Sequence, residues 1–396
     1  MKKAISMALA LSMVVMSLTA CGDAADKTGA ADSTADATAD AAGASFRIGG
    51  IGPVTGGAAV YGQAVKNGAE IAIKEINAAG GANGYQLEYN FQDDEADAEK
   101  SVNAYNTLKD WKMQILMGTV TSTPSIAVAE ETNADHMFQL TPSGSAVPCV
   151  KYDNSFRVCF SDPNQGLASA KYISANKLAT KVAVIYDSSE VYSSGIYEKF
   201  AAESINQGIE IVAAEAFTAD SRTDFSVQLQ KAKDAGAELV FLPIYYAEAS
   251  LILSQANTMG FAPIFFGCDG LDGILSVENF DTKLAEGVML LTPFAADAKD
   301  ELTQKFVTTY KAEYGETPNQ FAADAYDAIY TIKAAIEAGK VTPDMGTDVI
   351  CDALMKAMTT ISVDGLTGSG MTWTADGEVN KEPKAVKISG GVYTAM

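Results

Sequence analysis

Hydroxyl side chains follow an apolar run of the sequence at a place where they could bind a small anion. The run Met113–Met117 predicts a buried strand, Gly118–Thr123 a tight polar loop, and Pro124–Ala134 a helix with the proline at its first position. The first N–H groups of such a helix have no partner within it and favour negative charge. The loop places four hydroxyls beside them, which would suit a carboxylate: Thr119, Thr121, Ser122 and Thr123.

A second hydroxyl-rich loop follows the next predicted strand. Met137–Leu140 predicts that short strand, and Thr141–Ser145 comes directly after it. Because neighbouring parallel strands end at the same edge of a sheet, the two loops should line one crevice. Serine and threonine are also ordinary helix caps, so the pattern alone leaves a purely structural role open.

Strands alternate with amphipathic helices along most of the chain. Phe46–Ile51 predicts a first strand and Tyr61–Asn77 the helix after it. A second alternation runs over Lys181–Phe266, and three helical segments follow it. The tail from Gly368 predicts two strands joined by a turn at Asp376–Gly377. This order is typical of α/β folds in which helices cover parallel sheets.

The charge and length of the chain exclude some partners. Its 396 residues carry a formal net charge of -22, and arginine occurs only at positions 47, 157 and 222. Nucleic acid and anionic membrane surfaces are therefore poor partners. The length suits two lobes of ordinary size.

The first 45 residues predict export and anchoring. Lys2 and Lys3 precede an uncharged apolar segment, so residues 1–20 have the pattern of a signal peptide. Leu18–Cys21 resembles the lipobox of bacterial lipoproteins, in which the cysteine is acylated and the chain is cut before it. A plain signal peptide with an accidental cysteine is the alternative. Residues 21–45 would then be a lipidated cysteine followed by a mobile tether rich in Ala, Asp and Thr.

The remaining cysteines and the single histidine do not form a metal motif. Cys149 and Cys159 flank a possible turn at Asp153–Asn154, which favours a disulfide over two buried thiols in an exported protein. There is no CxxC, and one imidazole, that of His136, cannot build a zinc site. Since no nucleophile motif accompanies His136, we expect no metal, no cofactor and no catalysis.

Several motifs occur in a fixed order from Phe46 to the C-terminus. The longest is Gly49–Gly84, and the others include Gly118–Thr121, Thr141–Ser145, Phe156–Arg157 and Ala325–Ala328. In this order they resemble the leucine/isoleucine/valine-binding proteins, which are type I periplasmic binding proteins of ABC importers. The resemblance implies two Rossmann-like α/β lobes joined by a three-crossover hinge, the Venus-flytrap architecture. Lobe 1 would comprise residues 46–161 and 293–382, and lobe 2 residues 162–292 and 383–396.

The resemblance also implies a ligand site between the lobes. The positions that contact the ligand's α-carboxylate fall on Thr119, Ser143 and Ser145, and the position that contacts its α-ammonium falls on Asp269. Many relatives carry glutamate where this chain has Asp269. The positions that form aromatic walls fall on Tyr61, Tyr192, Tyr245 and Phe321.

The resemblance implies an extracytoplasmic binding protein. It would be a monomer held at the outer face of the cell membrane by its lipidated N-terminus. There it would deliver a small zwitterionic ligand, a branched-chain or similar amino acid, to ABC permease subunits. The alternatives are the same fold with an amide, urea, a short peptide or an aromatic acid as ligand, a sensor that presents its ligand to a membrane receptor, and a secreted enzyme.

The lipobox leads to a direct test. Cys21→Ala should yield a protein without lipid that is released from the cell membrane, because the acylated sulfur is the predicted anchor. Cell fractionation with mass spectrometry of the N-terminus measures both properties. Membrane retention equal to that of the parent chain would contradict the anchor.

Overall fold

The strands of the described residues form two separate sheets. The structure is a computed structural model that describes residues 43–396. The predicted signal peptide, Cys21 and nearly all of the tether lie outside the described residues. The first part of the body builds a sheet of five strands and the rest a sheet of seven. We call the five-stranded sheet with its helices lobe 1, and the seven-stranded sheet with its helices lobe 2.

Lobe 1 is built on parallel strands. They are β1 (Ser45–Gly52), β2 (Gln86–Asp93), β3 (Ile115–Gly118), β4 (Gln139–Thr141) and β5 (Ser155–Arg157). Their order is β2-β1-β3-β4-β5, and every pairing is parallel. The helices of this lobe are α1 (Ala59–Ala78), α2 (Ala98–Asp110), α3 (Ser122–Ala134) and, later in the chain, α8 (Glu301–Tyr314), α9 (Gln320–Gly339) and α10 (Thr347–Met358).

Lobe 2 combines a parallel sheet with an antiparallel edge. Its strands are β6 (Lys181–Asp187), β7 (Glu210–Phe217), β8 (Leu239–Leu242), β9 (Ile264–Gly267), β10 (Met289–Thr292), β11 (Lys384–Ser389) and β12 (Val392–Ala395). In the order β12-β11-β10-β9-β8-β6-β7 only the pairings of β11 are antiparallel. Its helices are α4 (Asp162–Ala175), α5 (Val191–Gln207), α6 (Ser226–Asp234) and α7 (Tyr246–Thr258).

The central strands are short apolar runs because helices cover both faces of each sheet. All residues of β3 and of β8 are buried, as parallel sheets require. Stacked rings fill both cores, with centroids 5.6 Å apart for Phe138 and Phe156 in lobe 1 and 4.2 Å apart for Phe200 and Phe241 in lobe 2. No helix within residues 43–396 combines the length and the apolar composition that a membrane span needs.

The chain passes between the sheets three times: after β5, after β10 and before β11. The prediction for the C-terminal tail is partly wrong. A turn does form at Asp376–Gly377, but only one isolated bridge, between Trp373 and Val379, flanks it. The two paired strands lie further on, as β11 and β12, and turn at Gly390–Gly391 with positive φ at both glycines. Val386 and Ile388 alternate with polar residues in β11 and are buried, which places that strand in the sheet of lobe 2.

The predicted disulfide between Cys149 and Cys159 is wrong. Both residues are free and buried. Cys149 lies in a 3₁₀ turn, Val147–Val150, and its Sγ is 3.6 Å from the Ser122 carbonyl oxygen. The segment between the cysteines becomes β5, which pairs in parallel with β4. It therefore does not form the hairpin that would bring the two sulfurs together.

The contact between α1 and α9 offers a test of the packing in lobe 1. A Cβ on Gly68 would lie 2.0 Å from the Ala322 carbonyl oxygen, so the two helix backbones must separate to admit it. Gly68→Ala should lower the free energy of unfolding by about 1–3 kcal/mol. Denaturant titration of this variant and of Gly57→Ala, where a Cβ would meet nothing within 4 Å, measures the effect. Equal stability of the two variants would contradict the packing.

Candidate functional site

A small cavity lies between the two lobes. Lobe 1 contributes hydroxyls from the loops after β3 and β4, together with rings from α1 and α9. Lobe 2 contributes two tyrosines and one carboxylate. The lining residues are Tyr61, Val120, Thr121, Ser122, Ser143, Ser145, Tyr192, Tyr245, Asp269, Gly270 and Phe321.

The N-terminus of α3 forms one end of the cavity. Thr121 is the N-cap residue in extended backbone conformation, yet its side chain makes no capping hydrogen bond. Its Oγ1 is buried and has no hydrogen-bond partner in the described structure. A buried hydroxyl without a partner is costly. Together with the unpaired N–H groups of the first helical turn, it makes this end suitable for an oxyanion.

The loop after β4 lies beside this helix start. We call residues 143–147 the ligand loop, because Ser143 and Ser145 line the cavity. The Ser143 hydroxyl donates to the Val120 carbonyl oxygen at 2.7 Å, which joins the two hydroxyl-rich loops. The Ala146 N–H donates to the Ser122 hydroxyl oxygen at 3.2 Å. These bonds hold the two loops at one edge of the sheet, as their positions after neighbouring strands predict.

Thr119, predicted to contact the ligand, does not line the cavity. Its side chain is buried and its hydroxyl bonds to that of Ser125. Its carbonyl oxygen accepts from the hydroxyls of Ser125 at 3.1 Å and Thr141 at 2.6 Å. Thr119 therefore holds the loop together, and Thr121, two residues further on, takes its place at the cavity.

Asp269 supplies the only charge among the lining residues. It begins a 3₁₀ turn directly after β9 and Cys268. The Tyr192 hydroxyl donates to its Oδ1 at 2.7 Å, and its N–H donates to the Gln165 Oε1 at 3.1 Å. Burial raises the pKa of the Asp269 carboxyl to about 7, against the opposing effect of the Tyr192 hydrogen bond. Without a cation beside it, this carboxyl is therefore partly protonated at neutral pH.

Aromatic rings form the rest of the wall. Tyr192 and Tyr245 of lobe 2 stack with centroids 4.9 Å apart. Tyr61 of lobe 1 lies 5.5 Å from Tyr245 and 4.3 Å from Phe321 between ring centroids. The four rings leave an apolar space beside the polar ends.

The lobes are in direct contact around the cavity. The Tyr61 hydroxyl, from lobe 1, donates to the Gly270 carbonyl oxygen and accepts from the Tyr246 N–H at 3.2 Å. The Gln320 side chain, at the start of α9, donates to the Asp269 carbonyl oxygen at 2.8 Å. The backbone N–H of Gln320 donates to the Asp272 carboxylate at 2.8 Å.

A separate contact joins α3 to α5. The Thr123 hydroxyl donates to the Glu190 carboxylate at 3.0 Å. Together these bonds describe two lobes that are closed on each other.

The comparisons with known proteins agree with this architecture. Residues 45–391 match the family described as "Periplasmic binding protein". The chain belongs to this family. "Leu/Ile/Val-binding protein homolog 3" of Brucella melitensis is 32% identical over 307 residues, which are 77% of this chain and 82% of that protein. The predicted leucine/isoleucine/valine-binding family is thereby confirmed.

Solved structures confirm the type I fold of this periplasmic binding protein. The branched-chain amino acid transporter substrate binding protein LivJ from Streptococcus pneumoniae, in complex with isoleucine, superposes with a TM-score of 0.80 at 28% identity. The match covers 89% of this chain and 98% of that one. The leucine binding protein LivK from Thermotoga maritima has a TM-score of 0.79 at 25% identity, over 89% of this chain and 97% of the other.

The structure brings seven of the eight predicted site residues of this periplasmic binding protein to one cavity. Thr119 is the exception. Thr121 and Ser122 belong to the hydroxyl-rich loop noted in the sequence, but spacing could not show which hydroxyls face inward. Gly270 contributes backbone, which carries no side-chain signal. Within residues 43–396, no group of three or more His, Cys, Asp or Glu side chains could hold a metal ion.

Proposed function

We propose that the protein is an extracytoplasmic substrate-binding lipoprotein of an ABC importer, which captures a small amino acid between its lobes and delivers it to the permease. One observation carries the proposal: the cavity has an end suited to an anion in lobe 1 and a buried carboxylate in lobe 2. A zwitterion is complementary to both ends at once.

The α-carboxylate would lie at the N-terminus of α3. The Thr121 hydroxyl has no hydrogen-bond partner among residues 43–396, and the Ser143 and Ser145 side chains line the same cavity. Charged acceptors form stronger hydrogen bonds than neutral ones, and the helix dipole favours a negative charge there.

The α-ammonium would lie against Asp269. An adjacent cation lowers the pKa of a carboxyl, which opposes the effect of burial and keeps Asp269 ionised when the ligand is bound. The ligand would therefore supply the counter-charge that the described residues of the cavity lack.

The aromatic walls favour an apolar side chain on the ligand, because four rings line the cavity beside its polar ends: Tyr61, Tyr192, Tyr245 and Phe321. A branched-chain or similar small amino acid is the ligand we propose. Closure is favoured because only the closed form makes contacts from both lobes to one molecule.

The N-terminal segment would set the location. We propose that Cys21 carries the lipid and that the tether lets the two lobes reach the permease from the outer face of the cell membrane. The three chain crossings, near Asp162, Pro293 and Pro383, would form the hinge of a monomeric protein.

An amide ligand is the second candidate. It is favoured by the pKa of Asp269 near 7, because a protonated carboxyl can hydrogen-bond an uncharged amide. An amide would leave Asp269 without a counter-charge, so its binding should depend weakly on whether this residue can ionise.

A thermal-shift screen of residues 45–396 against amino acids, amides and small carboxylic acids tests the proposal. A ligand that binds only the native state raises its melting temperature. We expect the largest shift from branched-chain or similar small amino acids. Shifts from amides alone would favour the second candidate, and no shift from any amino acid would contradict the proposal.

The role of Asp269 predicts a specific loss. Asp269→Asn should weaken amino-acid binding roughly ten- to 150-fold, since losing a hydrogen bond to a charged group costs about 1.5–3 kcal/mol. Calorimetry with the amino acid found in the screen measures the affinity. Asp234→Asn, an exposed change of the same type in lobe 2, is the matched control. Unaltered affinity of Asp269→Asn would remove this residue from the site.

A further inference from the structure

Arg157 lies directly behind the ligand loop. It ends β5, and no part of its side chain is exposed, whereas the side chains of Arg47 and Arg222 are 42% and 39% exposed. Burying a guanidinium is costly unless its N–H groups find acceptors. The hydrogen-bond acceptors of the Arg157 guanidinium therefore indicate its role.

The guanidinium donates to four consecutive carbonyl oxygens of the chain. Nη1 donates to Gly144 at 3.3 Å and to Ser145, while Nη2 donates to Ala146 at 3.0 Å and to Val147 at 3.4 Å. These peptide groups belong to the ligand loop. The planar fork of an arginine can reach several acceptors at once, which the point charge of a lysine cannot do. The bonds therefore set the direction of the peptide groups on both sides of Ser145.

The segment Trp373–Glu378, which follows α10, contacts Arg157 on the side away from the ligand loop. The Arg157 N–H donates to the Gly377 carbonyl oxygen at 3.0 Å, and the Trp373 indole N–H donates to the Arg157 carbonyl oxygen at 2.8 Å. A Cβ on Gly377 would lie 2.2 Å from the Ser155 carbonyl oxygen, so the segment Trp373–Glu378 packs closely on β5. Glu378 places its carboxylate 3.4 Å from Nη2 and is 35% exposed at its side chain.

We propose that Arg157 is a positioning residue for the anion end of the cavity. It does not line the cavity and acts through the ligand loop, whose carbonyls it holds so that Ser143 and Ser145 remain beside the N-terminus of α3. Glu378 forms an ion pair with Arg157 at 3.4 Å from a partly exposed position. The proposal rests on the proposed function, because it assigns the carboxylate of the ligand to this loop.

A double-mutant cycle tests the route through the loop. Arg157→Lys keeps the charge and loses the fork, so it should weaken amino-acid binding about tenfold, the loss expected for one hydrogen bond to a charged group. In the Ser145→Ala background the further loss should fall below about threefold, because coupled residues are not additive. In the Asp269→Asn background the full loss of about tenfold should persist. Calorimetry on the mature chain in detergent measures each affinity.

Two controls separate a positioning role from general damage. Arg47→Lys makes the same change at a partly exposed side chain of β1 and should leave binding unchanged. Equal losses from Arg157→Lys in the Ser145→Ala and Asp269→Asn backgrounds, or no loss at all, would overturn the proposal. If the parent chain binds no amino acid, the proposed function fails in that first measurement, and the next experiment still decides the role of Arg157.

Hydrogen exchange tests the same role without a ligand. In Arg157→Lys the amides of the ligand loop should exchange about tenfold faster than in the parent chain, while those of β1 and α1 keep their rates. If this variant does not fold, Glu378→Gln, changed at a partly exposed position, should raise exchange in the same loop by a smaller factor. Unchanged exchange in the ligand loop, or an equal rise throughout lobe 1, would overturn the proposal.

Discussion

A carboxylate buried at the junction of two lobes is the constraint on which the rest of this structure depends. Asp269 has one hydroxyl donor to its side chain and no cation beside it among the lining residues. Burial of an ionised carboxylate without a partner is unfavourable, so the closed protein must either protonate it or bring in a positive group. In the proposed complex a dipolar molecule would do the second and would place its own negative group at the opposite end, where α3 begins. The two lobes are thus complementary to one solute rather than to each other alone.

The closed arrangement combines contacts of two kinds. Some, such as Tyr61 to Gly270 and Gln320 to Asp272, join lobe to lobe directly. Others would be made by the ligand, at Thr121 on one side and Asp269 on the other. Burial raises the pKa of the Asp272 carboxyl to about 6 and that of the Asp269 carboxyl to about 7. Both carboxyls of the turn after β9 thus have pKa values closer to neutral pH than is usual for aspartate. Both carboxyls therefore take up a proton more readily in this closed arrangement than an exposed aspartate would.

Much of the fold could be predicted from the sequence because its elements are locally consistent. Apolar runs such as Met113–Met117 and amphipathic stretches such as Tyr61–Asn77 carry the period of the element that they form. The end of a strand is also predictable as a place for chemistry, which located the loop Thr141–Ser145 in advance. The resemblance to the binding-protein family was needed to single out Ser143, Ser145 and Asp269. The tail was harder, because turns at Asp376–Gly377 and Gly390–Gly391 are both plausible, and only packing on lobe 2 selects the second as the hairpin.

The sequence could not show in which direction each side chain of a loop points. Thr119 and Thr121 have the same chemistry and lie two residues apart, and only the turn into α3, which begins at Ser122 rather than at Pro124, decides that the second faces the cavity. Cys149 and Cys159 are close in sequence, but the strand between them carries one thiol away from the other. The positioning role of Arg157 could not be predicted for a similar reason. A single arginine in a short strand does not show which carbonyl oxygens will accept its hydrogen bonds.

The hydroxyl of Tyr61 bonds to backbone groups across the junction and needs no captured molecule to do so. This contact therefore favours the closed arrangement independently of the ligand. If the protein serves an ABC importer as proposed, closure without a ligand would let an importer that responds to shape alone hydrolyse ATP without transporting anything. The strength of this one phenol contact would thus help to set the background energy consumption of the whole uptake system.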